Sequence, residues 1–220
     1  MKWQLRNLKA GLLAVLIAIG LGVETQTAHA AGTEVVTVAG GCFWCVEADF
    51  EKVRGVREVV SGYTGGSVAN PSYKQVTRGG TGHYEAVEIK YDPAKVSARQ
   101  LYDMFFRSVD PTDAGGQFCD RGNSYRTAIF VSDSAQKQAA EAAKTDAEKA
   151  LGQKIVTPIL QASEFYKAEG YHQDYYKGDD FVLTRFDPKR QSAAYKRYRE
   201  ACGRDDRVKA LWGSSAPFVK

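Results

Sequence analysis

The chain has 220 residues, 44% of them hydrophobic, which suits one domain, or at most two, with a sizeable core. It carries 30 basic and 26 acidic residues, a formal net charge of +4, with no basic stripe. This balance argues against a nucleic-acid-binding protein. Four cysteines are consistent with two structural disulfides or with a working thiol.

The first 30 residues have the features of a secretory signal peptide. Basic residues precede an apolar run over residues 11–23, and Ala28-His29-Ala30 matches a small-x-small cleavage signature. The apolar run is short for a membrane span, so we expect cleavage after Ala30 and no stable span afterwards. Cleavage removes three basic residues and one acidic residue, leaving 27 and 25, a net +2. We therefore expect a secreted or periplasmic protein, with an uncleaved N-terminal anchor as the alternative.

A strand followed by a helix opens the mature chain. The β-branched run over residues 34–38 predicts a strand, and the glycines at 40 and 41 allow a tight turn after it. Apolar residues then recur at the spacing of one helix face. They are Val46, Phe50 and Val53.

Cys42 is thus predicted at the start of a helix, where free N–H groups and the positive end of the helix dipole stabilise a thiolate. Cys45 lies one turn further on the same face, so a contact between the two sulfurs is sterically allowed. Phe43 and Trp44 place two aromatic rings beside them. This pattern favours a reactive thiol over a buried structural cysteine pair.

The rest of the chain alternates strands and helices. Alternating or β-branched runs predict strands over residues 56–61, 84–91, 125–132 and 155–161, the last at an edge because of Pro158. Ser97 and Ser134 are predicted N-caps of helices, the second ending near residue 151. Residues 62–83 are expected to be irregular, and the chain to end in a polar tail that contains Cys202.

This order predicts an α+β fold. We expect a two-layer sandwich with a split β-α-β (ferredoxin-like) core, helices on one face of a mixed sheet, and extended irregular loops. No repeat or linker divides residues 31–220, so they are expected to form a single catalytic domain.

Three kinds of thiol chemistry fit a cysteine at this position. They are disulfide exchange of the thioredoxin type by Cys42 and Cys45, hydrolysis with a histidine partner, and sulfoxide reduction. A non-enzymatic domain held by two disulfides is a further alternative. No metal site is predicted, because there is one C-x-x-C pair and His83 and His172 are far apart in sequence.

A series of short motifs then resembles the peptide methionine sulfoxide reductase A family. The motifs run in family order over about residues 35–176, and the combination is specific although no single motif is. They are Gly41-Cys-Phe-Trp44, Gly62-Tyr-Thr-Gly-Gly66, Asn70-Pro-Ser-Tyr73, Thr81-Gly-His-Tyr-Glu-Ala86, Tyr91-Asp-Pro93, Asp110-Pro-Thr112, Asp120-Arg-Gly122, Ser124-Tyr-Arg126 and Tyr171-His-Gln173.

The resemblance implies reduction of methionine-S-sulfoxide, free or in oxidised proteins, through a sulfenic acid on the nucleophile. It also assigns roles to seven residues: Cys42 as nucleophile, Glu85 as proton donor, Tyr73 and Tyr125 as hydrogen-bond donors to the sulfoxide oxygen, Asp120 as a buried acid, and Phe43 and Trp44 as the wall for the substrate methyl group.

The resemblance leaves three candidates for the resolving cysteine. Cys45 replaces the usual glycine, and Cys119 replaces the asparagine that commonly precedes the aspartate. Many family members resolve with a C-terminal cysteine, which favours Cys202, with Cys45 second and Cys119 third. No nucleotide-binding loop is present in the sequence, so no cofactor is expected and a thiol must supply the electrons. The resemblance implies thioredoxin, or another dithiol protein outside the cytoplasm.

Overall fold

The computed structural model describes residues 32–184 and 187–219, which belong to one compact unit of residues 31–220. The predicted signal peptide lies outside the described residues. The strands are β1 (Glu34–Gly40), β2 (Val56–Thr64), β3 (Tyr84–Tyr91), β4 (Gly116–Gln117), β5 (Asp120–Arg121), β6 (Thr127–Val131), β7 (Ile159–Gln161), β8 (Tyr166–Lys167), β9 (Phe181–Leu183) and β10 (Pro188–Arg190). The helices are α1 (Phe43–Phe50), α2 (Tyr73–Arg78), α3 (Ala98–Phe106), α4 (Ser134–Leu151), α5 (Gln191–Ala201) and α6 (Arg204–Trp212).

The central sheet has the strand order β7-β6-β1-β3-β2-β8. Neighbouring strands are antiparallel except β6 and β7, which are parallel. β3 lies between β1 and β2, the two strands that α1 connects, so the β-α-β unit is split. The predicted mixed α+β sandwich is confirmed.

The period of two along each strand separates the two faces of the sheet. Val38 lies opposite both Val87 and Ile129 in the register, and all three are buried in the main core with the apolar residues of α1, α3 and α4. The other face carries Ala39 and Ala128, which pack in a smaller cluster of buried residues. The side chain at residue 85 shares the face of Val87, and this places it toward the helices.

The strand predicted over residues 155–161 is shorter in the structure, where β7 covers only Ile159–Gln161. Two further local predictions differ from the structure. The segment expected to be irregular contains α2, which begins with a capping box in which Ser72 and Gln75 satisfy each other's backbone N–H groups. Asp133, rather than Ser134, is the N-cap of α4, and its carboxylate accepts the N–H of Gln136 at 2.8 Å. In both cases a polar side chain caps a free backbone N–H at the start of a helix. The spacing of apolar residues does not show which side chain will do so.

The C-terminal region is not the predicted polar tail. It forms α5 and α6, and Val208 and Trp212 of α6 are buried in the main core. Arg204 is only 2% exposed, and its guanidinium donates hydrogen bonds to the carbonyls of Gly40 and Ser108. Buried apolar side chains of α6 and the two hydrogen bonds of Arg204 thus attach this mostly polar segment to the rest of the fold. Among the described residues, no helix is both long and apolar enough to span a membrane.

Candidate active site

The turn between β1 and α1 presents Cys42 as the N-cap residue of α1. Gly41 makes this turn with φ +81°, and a Cβ atom there would lie 2.5 Å from the Cβ of Gln117. Only glycine meets both demands, because it lacks the Cβ that disfavours positive φ. Cys42 is 6% exposed and faces a pocket at the helix start.

The pocket is partly open to solvent, and its empty space, including the mouth, is about 260 Å³. It brings together all seven side chains to which the sequence assigned catalytic or substrate-binding roles. Tyr198 of α5 joins them, a residue that the sequence analysis missed. The lining residues are Cys42, Phe43, Trp44, Tyr73, Glu85, Asp120, Tyr125 and Tyr198.

Glu85 lies on β3 beneath the N-terminus of α1 and is 2% exposed. Its carboxylate accepts the backbone N–H of Phe43 at 3.2 Å. Burial raises the pKa of Glu85 to about 8, against the opposing effect of the Phe43 hydrogen bond. The carboxyl is therefore largely protonated at neutral pH, the state in which it can donate a proton.

Two phenols and a second carboxyl complete the polar side of the pocket. Tyr73 begins α2 and Tyr125 ends a short 3-10 turn, and burial raises the pKa of both, so their hydroxyls stay protonated. Asp120 is half-buried, and desolvation raises its pKa. The Tyr198 hydroxyl donates a hydrogen bond to the Asp120 carboxylate, which fixes that side chain at the pocket wall.

Cys42 and Cys45 are both buried free thiols, three residues apart at the start of α1. Burial raises the pKa of Cys42, and its neighbour Cys45 raises it further. The pKa of Cys45 shifts the other way, because the interaction with Cys42 lowers it. Cys45 is therefore the more readily ionised sulfur of the pair, whereas the local helix argument placed the thiolate on Cys42. The difference arises from burial, which the helix argument does not include.

The other two cysteines, Cys119 and Cys202, form a disulfide with their Cα atoms 4.9 Å apart. Cys202 is the C-cap of α5, so the disulfide ties α5 to the loop that carries Asp120. Cys202 is thus bonded to Cys119 and not poised in a mobile tail. Cys45 is the thiol beside Cys42.

Among the described residues, two side-chain clusters hold three potential metal ligands within 4.8 Å of one another. In the first, Cys119 and Cys202 are joined in the disulfide and offer no thiolate. In the second, Lys177 forms ion pairs with both Glu51 and Asp174. Neither donor set is arranged as a metal centre.

An aromatic wall closes the pocket on the side of Trp44. The Trp44 ring stacks on Tyr175 with centroids 3.9 Å apart and planes 7° from parallel. Its indole N–H donates a hydrogen bond to Nδ1 of His172 at 3.2 Å. His172 belongs to the motif Tyr171-His-Gln173, but the sequence analysis assigned it no catalytic or binding role. No pattern in the sequence indicates the stack of Trp44 on Tyr175.

A buried thiol pair, a protonated carboxyl and two phenols around one small pocket define a thiol-dependent oxidoreductase site. The chain belongs to the peptide methionine sulfoxide reductase family, whose model matches residues 34–206. Peptide methionine sulfoxide reductase MsrA 2 of Caulobacter vibrioides is 49% identical over 205 residues, covering 91% of this chain and 98% of that protein. The MsrA of Bacillus subtilis is 46% identical over 183 residues, covering 82% and 97%.

Solved structures agree with this family. Mxr1 of Saccharomyces cerevisiae in its reduced form superposes with a TM-score of 0.63 at 33% identity, covering 66% of this chain and 85% of that one. Methionine sulfoxide reductase A of Corynebacterium diphtheriae gives 0.62 at 30% identity, covering 72% and 84%. The alternatives of a thioredoxin-like protein and of a non-enzymatic domain are not supported, the second because Cys42 and Cys45 are free.

Proposed function

We propose that this protein reduces the S epimer of methionine sulfoxide, free or within proteins, to methionine, with Cys42 as nucleophile. The observation that carries the proposal is the pocket itself. Cys42 shares it with the neutral carboxyl of Glu85 and the hydroxyls of Tyr73 and Tyr125. Family membership supports the same substrate.

The nucleophile forms within the pair of adjacent thiols, Cys42 and Cys45. When Cys45 is ionised, transfer of the Cys42 proton to it moves the negative charge to the sulfur that lines the pocket. The Cys42 thiolate then attacks the sulfoxide sulfur, while Tyr73 and Tyr125 donate hydrogen bonds to the oxygen and Glu85 gives it a proton. The attack forms a bond between the two sulfurs. The protonated oxygen then passes to the Cys42 sulfur as the sulfur–oxygen bond of the substrate and the new sulfur–sulfur bond break, so methionine leaves and Cys42 becomes a sulfenic acid.

Cys45 is the proposed resolving thiol. Its sulfur attacks the sulfur of Cys42, the hydroxyl leaves as water with the thiol proton, and a Cys42–Cys45 disulfide forms. The two thiols have then supplied the two electrons that reduced the sulfoxide. Cys202 is engaged with Cys119, so it reaches Cys42 only after that disulfide opens.

A dithiol protein of the thioredoxin type is the proposed reductant that returns the disulfide to two thiols. We also propose export with cleavage after Ala30, supported by the leader pattern in residues 1–30. The N-terminal residue and cell fraction of the expressed protein test this part. A cytoplasmic protein that retains Met1 would contradict it.

The reaction is tested with the separated epimers of peptidyl methionine sulfoxide and a small dithiol reductant. We expect the wild type to consume the S epimer only, and Cys42→Ser to be inactive while keeping the wild-type fold by circular dichroism. Activity of Cys42→Ser, or equal consumption of both epimers, contradicts the proposal. Reduction of protein disulfides with no sulfoxide activity would instead favour a disulfide oxidoreductase.

A further inference from the structure

His172 is buried directly behind the aromatic rings that line the pocket. It is 2% exposed, and its Nδ1 accepts the indole N–H of Trp44 at 3.2 Å. Because Nδ1 is an acceptor, the ring proton of the neutral form must lie on Nε2. In the described part of the chain Nε2 has no hydrogen-bond partner, and the nearest carboxylate oxygen, on Glu169, is 4.0 Å away.

The imidazole is held by aromatic rings on several sides. Its centroid lies 4.4 Å from that of Tyr73, 5.1 Å from that of Phe43 and 4.2 Å from that of Tyr171. Two of these rings, Phe43 and Tyr73, line the pocket. His172 itself does not line it, so any effect on the substrate passes through the rings that it holds.

Glu169 lies on the Nε2 side of the imidazole and binds two neighbouring tyrosines. Its two carboxylate oxygens accept the hydroxyl of Tyr63 at 2.8 Å and the backbone N–H of Tyr73 at 2.9 Å. Burial lowers the pKa of His172 to about 4, so the ring is neutral at neutral pH and keeps the lone pair that Trp44 needs.

We propose that His172 is a positioning residue that accepts the Trp44 indole N–H, holds this ring as the wall for the substrate methyl group, and so sets selectivity for methyl over larger alkyl sulfoxides. The inference rests on the proposed function. Trp44 is only half-buried, and without this acceptor its indole keeps the stack on Tyr175 but loses its one directional hydrogen bond, so the ring can shift and widen the apolar end of the pocket.

The selectivity test compares methionine sulfoxide with ethionine sulfoxide, which has one more methylene group. His172→Phe keeps a ring but removes the acceptor. We expect it to lower the ratio of kcat/KM for methionine sulfoxide to kcat/KM for ethionine sulfoxide by roughly three- to tenfold. His172→Asn retains an acceptor near the position of Nδ1 and should recover most of the ratio. Tyr176→Phe is the matched control, since it removes a hydrogen bond from the same segment to Glu51, the C-cap of α1, and not to Trp44.

A second measurement depends neither on catalysis nor on whether a His172 variant folds. With Trp212→Phe in the protein lacking residues 1–30, Trp44 is the only tryptophan, and its indole N–H gives one resonance in a ¹⁵N-labelled sample. We expect slow hydrogen exchange at that N–H. Fast exchange there, or an unchanged substrate ratio in His172→Phe, overturns the inference. An inactive wild type with a protected indole N–H would instead contradict the proposed function alone.

Discussion

The backbone N–H of Phe43 and the carboxylate of Glu85 meet 3.2 Å apart beneath the start of α1. This contact joins the helix that carries the nucleophile to the strand that carries the proton donor. The N–H favours the charged carboxylate, but burial opposes it more strongly and holds the pKa near 8. A general acid must be protonated to act, so this balance sets the pH range of the reaction.

The first prediction concerns Glu85→Gln, which retains an acceptor for the Phe43 N–H but has no proton to give. We expect kcat to fall by about 10²–10⁴-fold with KM changed little. In the wild type, kcat should fall as the pH rises through about 8, because Glu85 then loses its proton. Glu88→Gln, on the same strand but the opposite face, serves as control. A wild-type kcat in Glu85→Gln would remove Glu85 from the role.

The second prediction separates the candidate resolving cysteines. With a thioredoxin-type reductant, Cys45→Ser should release about one methionine per enzyme and then stop at the sulfenic acid, which a dimedone adduct detects. Cys202→Ser should continue through many cycles, because Cys45 remains beside Cys42. Quantifying methionine after rapid mixing distinguishes them. Continued cycling in Cys45→Ser together with arrest in Cys202→Ser would assign resolution to Cys202.

The third prediction concerns Tyr198, whose hydroxyl donates to Asp120 at the pocket wall. Tyr198→Phe leaves that half-buried carboxylate without this donor, so we expect kcat/KM to fall by about three- to thirtyfold. Tyr195→Phe is the neighbouring control on α5, because its hydroxyl bonds Arg199 and does not reach the pocket. Steady-state kinetics on both variants checks this. Equal losses in the two would indicate a general effect on α5.

The fourth prediction concerns the turn that presents Cys42. Gly41→Ala combines a positive φ with a Cβ contact 2.5 Å from Gln117, so we expect the free energy of unfolding to fall by about 2–4 kcal/mol. Gly152 also has a positive φ, +63°, but lies in the left-handed helical region with nothing within 4 Å of an added Cβ. Gly152→Ala should therefore cost only about 1 kcal/mol. Urea unfolding measures both, and matching losses would contradict the steric argument.

The fifth prediction concerns Glu47, a buried carboxylate of α1 that accepts the N–H of Asp174 and the hydroxyl of Ser61, each at 2.9 Å. Burial raises its pKa to about 7. The folded state then binds more protons than the unfolded state between about pH 4.5 and 7, so stability from this group declines as the pH rises through that range. Glu47→Gln should reduce the loss of unfolding free energy between pH 5 and 8 by about 1–3 kcal/mol. An identical pH profile would contradict this.

The sequence alone predicted the start of α1 and the strand–helix order well. The reason is local: a double glycine, a β-branched run and helical spacing act over neighbouring residues. Its ordered motifs also named seven of the residues that line the pocket, from Cys42 to Tyr125. These residues lie in separate motifs that can each be identified in the sequence, although only folding brings them together in space.

The tertiary structure alone decided the sulfur pairing, the place of the proton and the supporting contacts. Cys119 and Cys202 are 83 residues apart, and Trp44 and His172 are 128 apart, so no local pattern relates them. The raised pKa values of Glu85 and Cys42 follow from burial, which depends on every element packed around the pocket. Local sequence patterns identify the reacting residues. Their protonation and orientation are set by packing between residues that are distant in the sequence.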